Sequence, residues 1–126
     1  MASNSIMEIP EQEKIDISMK AEEEKVYLVD LKYALSNEKD IYFYVYHSMG
    51  LVELFANVYS ERSDRVPDED EADFKILGHS EMKIPYDKIK SIIDEEEMDE
   101  HKDLYLYILA TAVSDSKFSI EFEFKD

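Results

Sequence analysis

Cysteine is absent from the 126 residues, which excludes disulfides and thiolate-bound zinc and leaves the redox compartment unread. Tryptophan is absent too, and glycine occurs only at Gly50 and Gly78, so there is no material for a glycine-rich phosphate loop. The three histidines, 47, 79 and 101, lack the i, i+4 spacing of a zinc-binding helix, and no Gly-x-Ser-x-Gly elbow presents a nucleophile. Basic side chains are scarce, 14 against 31 acidic ones, for a net charge of −17. That balance repels nucleic acid and anionic lipid over a Debye length of about 8 Å. Expected partners are neutral, basic or cationic, with an anionic membrane reachable only through bridging calcium. Long apolar runs are missing as well: MASNSIMEIPEQEKIDISMK has neither the basic flank nor the apolar stretch of a secretory or transmembrane helix.

What is present is alternation. With 44% hydrophobic and 12% aromatic residues the chain can bury one core, so a single domain over 14–126 is expected, preceded by a disordered tail over 1–13. Met-Ala-Ser at the start, and a stop just after a strand-like run, read as a domain cut from a larger protein whose other domains would be neighbours and partners. Ile15, Ile17 and Met19 alternate with polar residues as in a short edge strand, and KVYLVDLKY (25–33) is apolar at both parities, as in a strand covered on both sides. SNEKD (36–40) has turn chemistry. Ile41, Phe43 and Val45 alternate with Tyr42, Tyr44 and Tyr46. Val52, Leu54, Ala56 and Val58 share the apolar face of the next strand. SERSDRVPDEDEAD (60–73) is polar and predicts a surface loop, 73–77 a short strand, and 94–103 a second acidic loop. In between, MKIPYDKIKSII either continues as a strand or, from Pro85, opens a short helix near 85–93 whose Ile89, Ile92 and Ile93 share a face. At the end, DLYLYILATAVSDSKFSIEFEF (103–124) reads as a closing hairpin with Phe118, Ile120, Phe122 and Phe124 pointing inward. Six to eight strands with little helix and no βαβ alternation predict a mainly β protein, an antiparallel β-sandwich of jelly-roll character.

Two residue sets stand out as candidate sites. Tyr42, Tyr44 and Tyr46 share one strand face, and Tyr105 and Tyr107 share another, each opposite an aliphatic stripe. On neighbouring strands they would form a ladder of phenols suited to a peptide or sugar; equally, such aromatics stabilise a sheet with no ligand at all. The second set is acidic. An EF-hand fails, because Asp73 stands at its sixth loop position where glycine is needed if Asp68 comes first. A calcium site assembled from separate loops, with Asp40, Asp68, Asp70 and Asp103 as ligands, competes with a plain solvated, self-repelling loop. The leading expectation is a non-catalytic module that binds a protein or glycan through a sheet face or the acidic loops. A calcium-dependent module of C2-like character is the alternative. A carboxylate-based hydrolase, which needs two carboxylic acids about 5 to 10 Å apart in a deep pocket, is the third class. No catalytic residue is assigned, and no cofactor beyond calcium arises.

The order of elements resembles the pre-peptidase C-terminal domain. The likeness is carried by Gly50-Leu51-Val52-Glu53-Leu54-Phe55-Ala56 in a central strand, Arg65-Val66-Pro67 in the polar loop, Asp73-Phe74 opening a short strand, and Asp103-Leu104-Tyr105-Leu106-Tyr107-Ile108, Ser114-Asp115-Ser116 and Phe118-Ser119-Ile120 at the end. It implies a jelly-roll-like sandwich over about 25–126 that helps a larger protein bind, fold or be secreted. Leu51 and Glu53 stand where the family has an Asp-x-Asp pair, a departure that weighs against family-style calcium binding.

Overall fold

Alternating strands bury one face only when a second layer covers it, and this chain supplies that layer by sending most successive strands to opposite sheets. The computed structural model describes residues 6–60, 67, 70–77, 80–99 and 103–126. In chain order the elements are β1 (Ile6–Glu8), β2 (Ile15–Met19), β3 (Glu24–Asp30), α1 (Lys32–Asn37), β4 (Asp40–Met49), β5 (Val52–Ser60), β6 (Phe74–Leu77), β7 (Ser80–Ile84), α2 (Tyr86–Glu95), β8 (Leu104–Ala112) and β9 (Ser116–Lys125). One sheet runs β1-β3-β8-β5-β6 and the other β2-β9-β4-β7. Every pairing is antiparallel except β1 with β3, which is parallel. Between the sheets lies the main core, in which Phe43, Phe122, Val45 and Ile120 from one sheet meet Val29, Leu54, Leu106 and Ile108 from the other. The expected antiparallel sandwich is therefore the fold.

The sheets differ on their outer faces. β3, β5 and β8 are apolar at both parities, and their second faces form a further cluster of Val26, Leu28, Phe55, Tyr59, Tyr105, Tyr107 and Leu109, with Ala72 packed against it. Asn57 ties the start of that cover in place, donating through Nδ2 to the Glu71 carbonyl at 3.0 Å and to Asp73 Oδ2 at 3.2 Å, while Asp73 Oδ2 also accepts from the Val58 N–H at 3.3 Å. Pro67 is buried. The 60–73 segment thus contributes apolar and polar anchors where only a solvated loop is expected.

Three other expectations change. Residues 6–12 are ordered into the fold instead of forming a tail: β1 pairs Ile6–Glu8 with Val26–Leu28, Ile9 is buried in the main core, and the Gln12 N–H donates to the Phe122 carbonyl at 2.9 Å. The cause is one well-placed isoleucine, too short a signal to register as a period. The terminal strands form no hairpin. β8 pairs with β3 and β5, β9 with β2 and β4, because a strand apolar on both faces needs cover on both sides and an amphipathic one needs a face in water. Finally, Lys32–Asn37, expected to finish a strand and enter a turn, forms α1, which buries Ala34 and ends on Glu38 in the left-handed region at φ 52°. α2 does begin after Pro85, with Ile89 and Ile93 buried and Ile92 packed against the core.

Candidate functional site

The outer face of the β2-β9-β4-β7 sheet is the one large sheet surface whose second parity is polar and aromatic. Along β4, Ile41, Phe43 and Val45 are buried while Tyr42 and Tyr44 are half-buried and Tyr46 is 54% exposed. The inward parity is fixed by the core, so the tyrosines must face outward. On one flank β9 sets Glu123 opposite Tyr42, Glu121 opposite Tyr44 and Ser119 opposite Tyr46. On the other, β7 sets Lys83 opposite Tyr42 and Glu81 opposite Tyr44.

Ammonium groups stand close to two of the rings. The Lys125 Nζ lies 4.7 Å and the Lys83 Nζ 5.9 Å from the Tyr42 ring centroid, and Lys14 Nζ stands 5.9 Å from that of Tyr46, distances at which an ammonium is drawn to a ring face. Partial burial raises the Tyr44 phenol above its ordinary range. Its hydrogen bond to Lys125, with Glu123 nearby, raises the ammonium in turn. The result is a row of phenols edged by charges of both signs, with apolar ring area and hydrogen-bonding tips available together.

Tyr105 and Tyr107 do not join that row. They lie on β8 in the other sheet, buried at 8% and 0% exposure, with Tyr107 edge-to-face on Tyr59 at 5.3 Å. The two tyrosine sets point away from one another on opposite sides of the sandwich, and the ladder that neighbouring strands would give is not formed.

The acidic set is likewise divided. Asp40 is engaged structurally, its Oδ1 accepting from the Tyr86 N–H at 2.7 Å at the start of α2 and its Oδ2 lying 3.5 Å from Lys83 Nζ. Asp70 and Asp103 are exposed, and Asp68 lies outside the described residues. Among the described residues no three acidic or histidine side chains converge as a metal ion would require. Of the histidines, His47 is part of the scaffold: its Nε2 accepts from the Val52 N–H at 3.0 Å and its ring stacks on Phe118 at 5.7 Å. His79 and His101 lie outside the described residues. Among those described, no helix is long and apolar enough to cross a membrane.

Comparison with solved structures finds the same fold elsewhere. The chain is similar to the pre-peptidase C-terminal domain of a collagenase from Bacillus anthracis, with a TM-score of 0.53 over 98% of this chain and 99% of that one, at 10% identity. The resemblance read from the order of elements is thereby borne out at the level of fold. No family model matches the sequence, and no curated protein matches it.

Proposed function

We propose that this sandwich is a non-catalytic interaction module that binds a protein or glycan partner on the outer face of the β2-β9-β4-β7 sheet, through Tyr42, Tyr44 and Tyr46. The observation that carries the reading is the asymmetry between the two sheets. One has its outward aromatics sealed in a second apolar cluster, whereas the other leaves a tyrosine row in contact with solvent. Rigid phenols contribute contact area at little entropic cost, and their hydroxyls tolerate the wet rim of an interface. The likeness of fold to a domain appended to a peptidase supports a module that serves a larger assembly. The net charge of −17 favours basic protein surfaces and should speed their approach at low salt.

The test is a glycan and peptide array probed with the wild-type chain and with a Tyr42→Ala, Tyr44→Ala, Tyr46→Ala variant whose melting temperature is checked first. Ligands recognised by the face should lose roughly tenfold or more in affinity, as expected when aromatic anchors are truncated. A folded triple variant that binds every ligand as the wild type does would remove this face from consideration.

A further inference from the structure

The tyrosine face is not flat at its lower end. Asp16, Ser119 and Tyr46 lie side by side across β2, β9 and β4. In the next row Ser18 pairs with Lys117, and a register shift between His47 and Met49 sets Ser48 in a bulge. Ser119 therefore floors a dip, the exposed short side chains Ser18 and Ser48 lie along its sides, and longer ones, Tyr46, Lys14 and Lys117, build its rim. The outcome is a cleft of about 400 Å³. Ser119 points outward yet is only 6% exposed, because it lies at the bottom. Ser48 Oγ donates to the Lys117 carbonyl at 3.2 Å, which leaves that hydroxyl to serve as an acceptor.

The chemistry of this lining is specific. Two ammonium groups stand against one carboxylate, Asp16, so the cleft is locally positive on a molecule of net charge −17. Serine hydroxyls both donate and accept, the lysines only donate and the ionised Asp16 only accepts. The exposed Tyr46 ring, with Ile17 and Phe118 beside it, also gives the lining an apolar side, and a phosphate dianion would bring two charges against the Asp16 carboxylate without any arginine fork to hold it. A ring with several hydroxyls and a single negative charge fits every group. The volume is at the low end for small-ligand sites, which run from about 300 to 1,000 Å³, and suits one pyranose ring.

We propose that this cleft binds a carboxylate-bearing pyranose at the end of a glycan chain, with Lys14 and Lys117 on the carboxylate, Ser18, Ser48 and Ser119 on the ring hydroxyls, and Asp16 accepting from a further hydroxyl. The assignment rests on the reading that this sheet face binds; it takes the glycan branch of that reading and, against the molecule's overall charge, an acidic saccharide drawn by the two local ammonium groups. The bulge is the device that makes room for it, as bulges re-aim side chains next to sites.

The experiment is an NMR titration of the intact chain with methyl β-glucuronide, whose blocked anomeric position mimics a chain end, alongside methyl β-glucoside and inorganic phosphate. The glucuronide should move the backbone amide signals of Ser18, Ser48, Lys117 and Ser119 at millimolar concentration. Lys117→Ala should weaken it roughly tenfold or more, the usual loss for a charge-assisted hydrogen bond. Ser119→Leu, which fills the dip and leaves the charge unchanged, should abolish it in a protein that still melts cooperatively. An equal response to the glucoside, a phosphate response matching the glucuronide, or silence toward all three would overturn the assignment. A Tyr42→Ala, Tyr44→Ala variant separates the two readings. A silent titration, with array binding still dependent on Tyr42 and Tyr44, strikes the saccharide alone. Array binding indifferent to those tyrosines strikes the broader face and leaves the titration to stand by itself.

Discussion

Gly50 lets two turns approach each other closely. Its φ of 71° lies in the left-handed region, and a Cβ built on it would collide with the Asp115 carbonyl oxygen and the Ser116 hydroxyl. Ser116 Oγ in turn shares its one proton between the carbonyls of Ser114 at 2.7 Å and Leu51 at 3.1 Å, so the β4–β5 turn is pressed directly on the β8–β9 link. Gly50→Ala should therefore lower stability by about 3 kcal/mol, the sum of an unfavourable backbone region and an overpacked contact, read as a reduced urea midpoint. Tyr27 makes a second case for a single side chain. Burial, with the Glu23 carboxylate adding to it, pushes its phenol up to about 12. The unfolded phenol ionises near 10, so the folded state holds its proton longer, and the associated stability, complete below pH 10, is lost as pH rises toward 12. In urea melts between those limits, wild type should lose more stability than Tyr27→Phe does.

Among the elements, those with one dry and one wet face were the legible ones. β4 and β9 alternate because water bathes their second parity, and their inward residues are those the period picks out: Ile41, Phe43 and Val45, and Phe118, Ile120 and Phe122. β3 and β8 carry apolar residues at both parities, so periodicity names them as strands without saying which face meets which layer. The tyrosine row of β4 was therefore readable as a surface. Its supposed companions on β8 were not readable as core, since the distinction depends on strands going to different sheets. Among the described strands, β5–β6 is the one consecutive pair that stays within one sheet, and a turn such as His47–Gly50 does not announce whether it folds back in the plane or crosses between layers. The cleft was missed because its three serines are separated in the chain by up to 101 positions, from Ser18 to Ser119, and are brought together by register and a bulge. β1 escaped notice for its brevity, yet it matters. Ile9 is 2% exposed and its N–H donates to the Leu28 carbonyl at 2.9 Å. Ile9→Ala should cost about 2 to 4 kcal/mol, as for other buried isoleucines, and should raise amide exchange in β3 before it does so in β4.

For the molecule as a whole, charge and shape pull in different directions. A surplus of 17 negative charges repels itself in the compact state, and ion pairs among the described residues, such as Lys39 with Asp126 at 2.7 Å and Lys83 with Asp40 at 3.5 Å, offset it in part. The melting temperature should accordingly climb as sodium chloride is raised from low values to about 0.5 M, where screening shortens to a few ångströms; a flat profile would mean that the self-repulsion is already neutralised locally. The two ends of the chain are also anchored unequally. β1 hangs on the rim of its sheet by three residues, while β9 is flanked on both sides by β2 and β4. A pulling force applied through the leading end would peel away a short ribbon and spare the sandwich, whereas the same tension at the trailing end must shear bonds along both neighbours at once. In a tethered setting the first junction would act as the compliant spring and the second as the rigid mount.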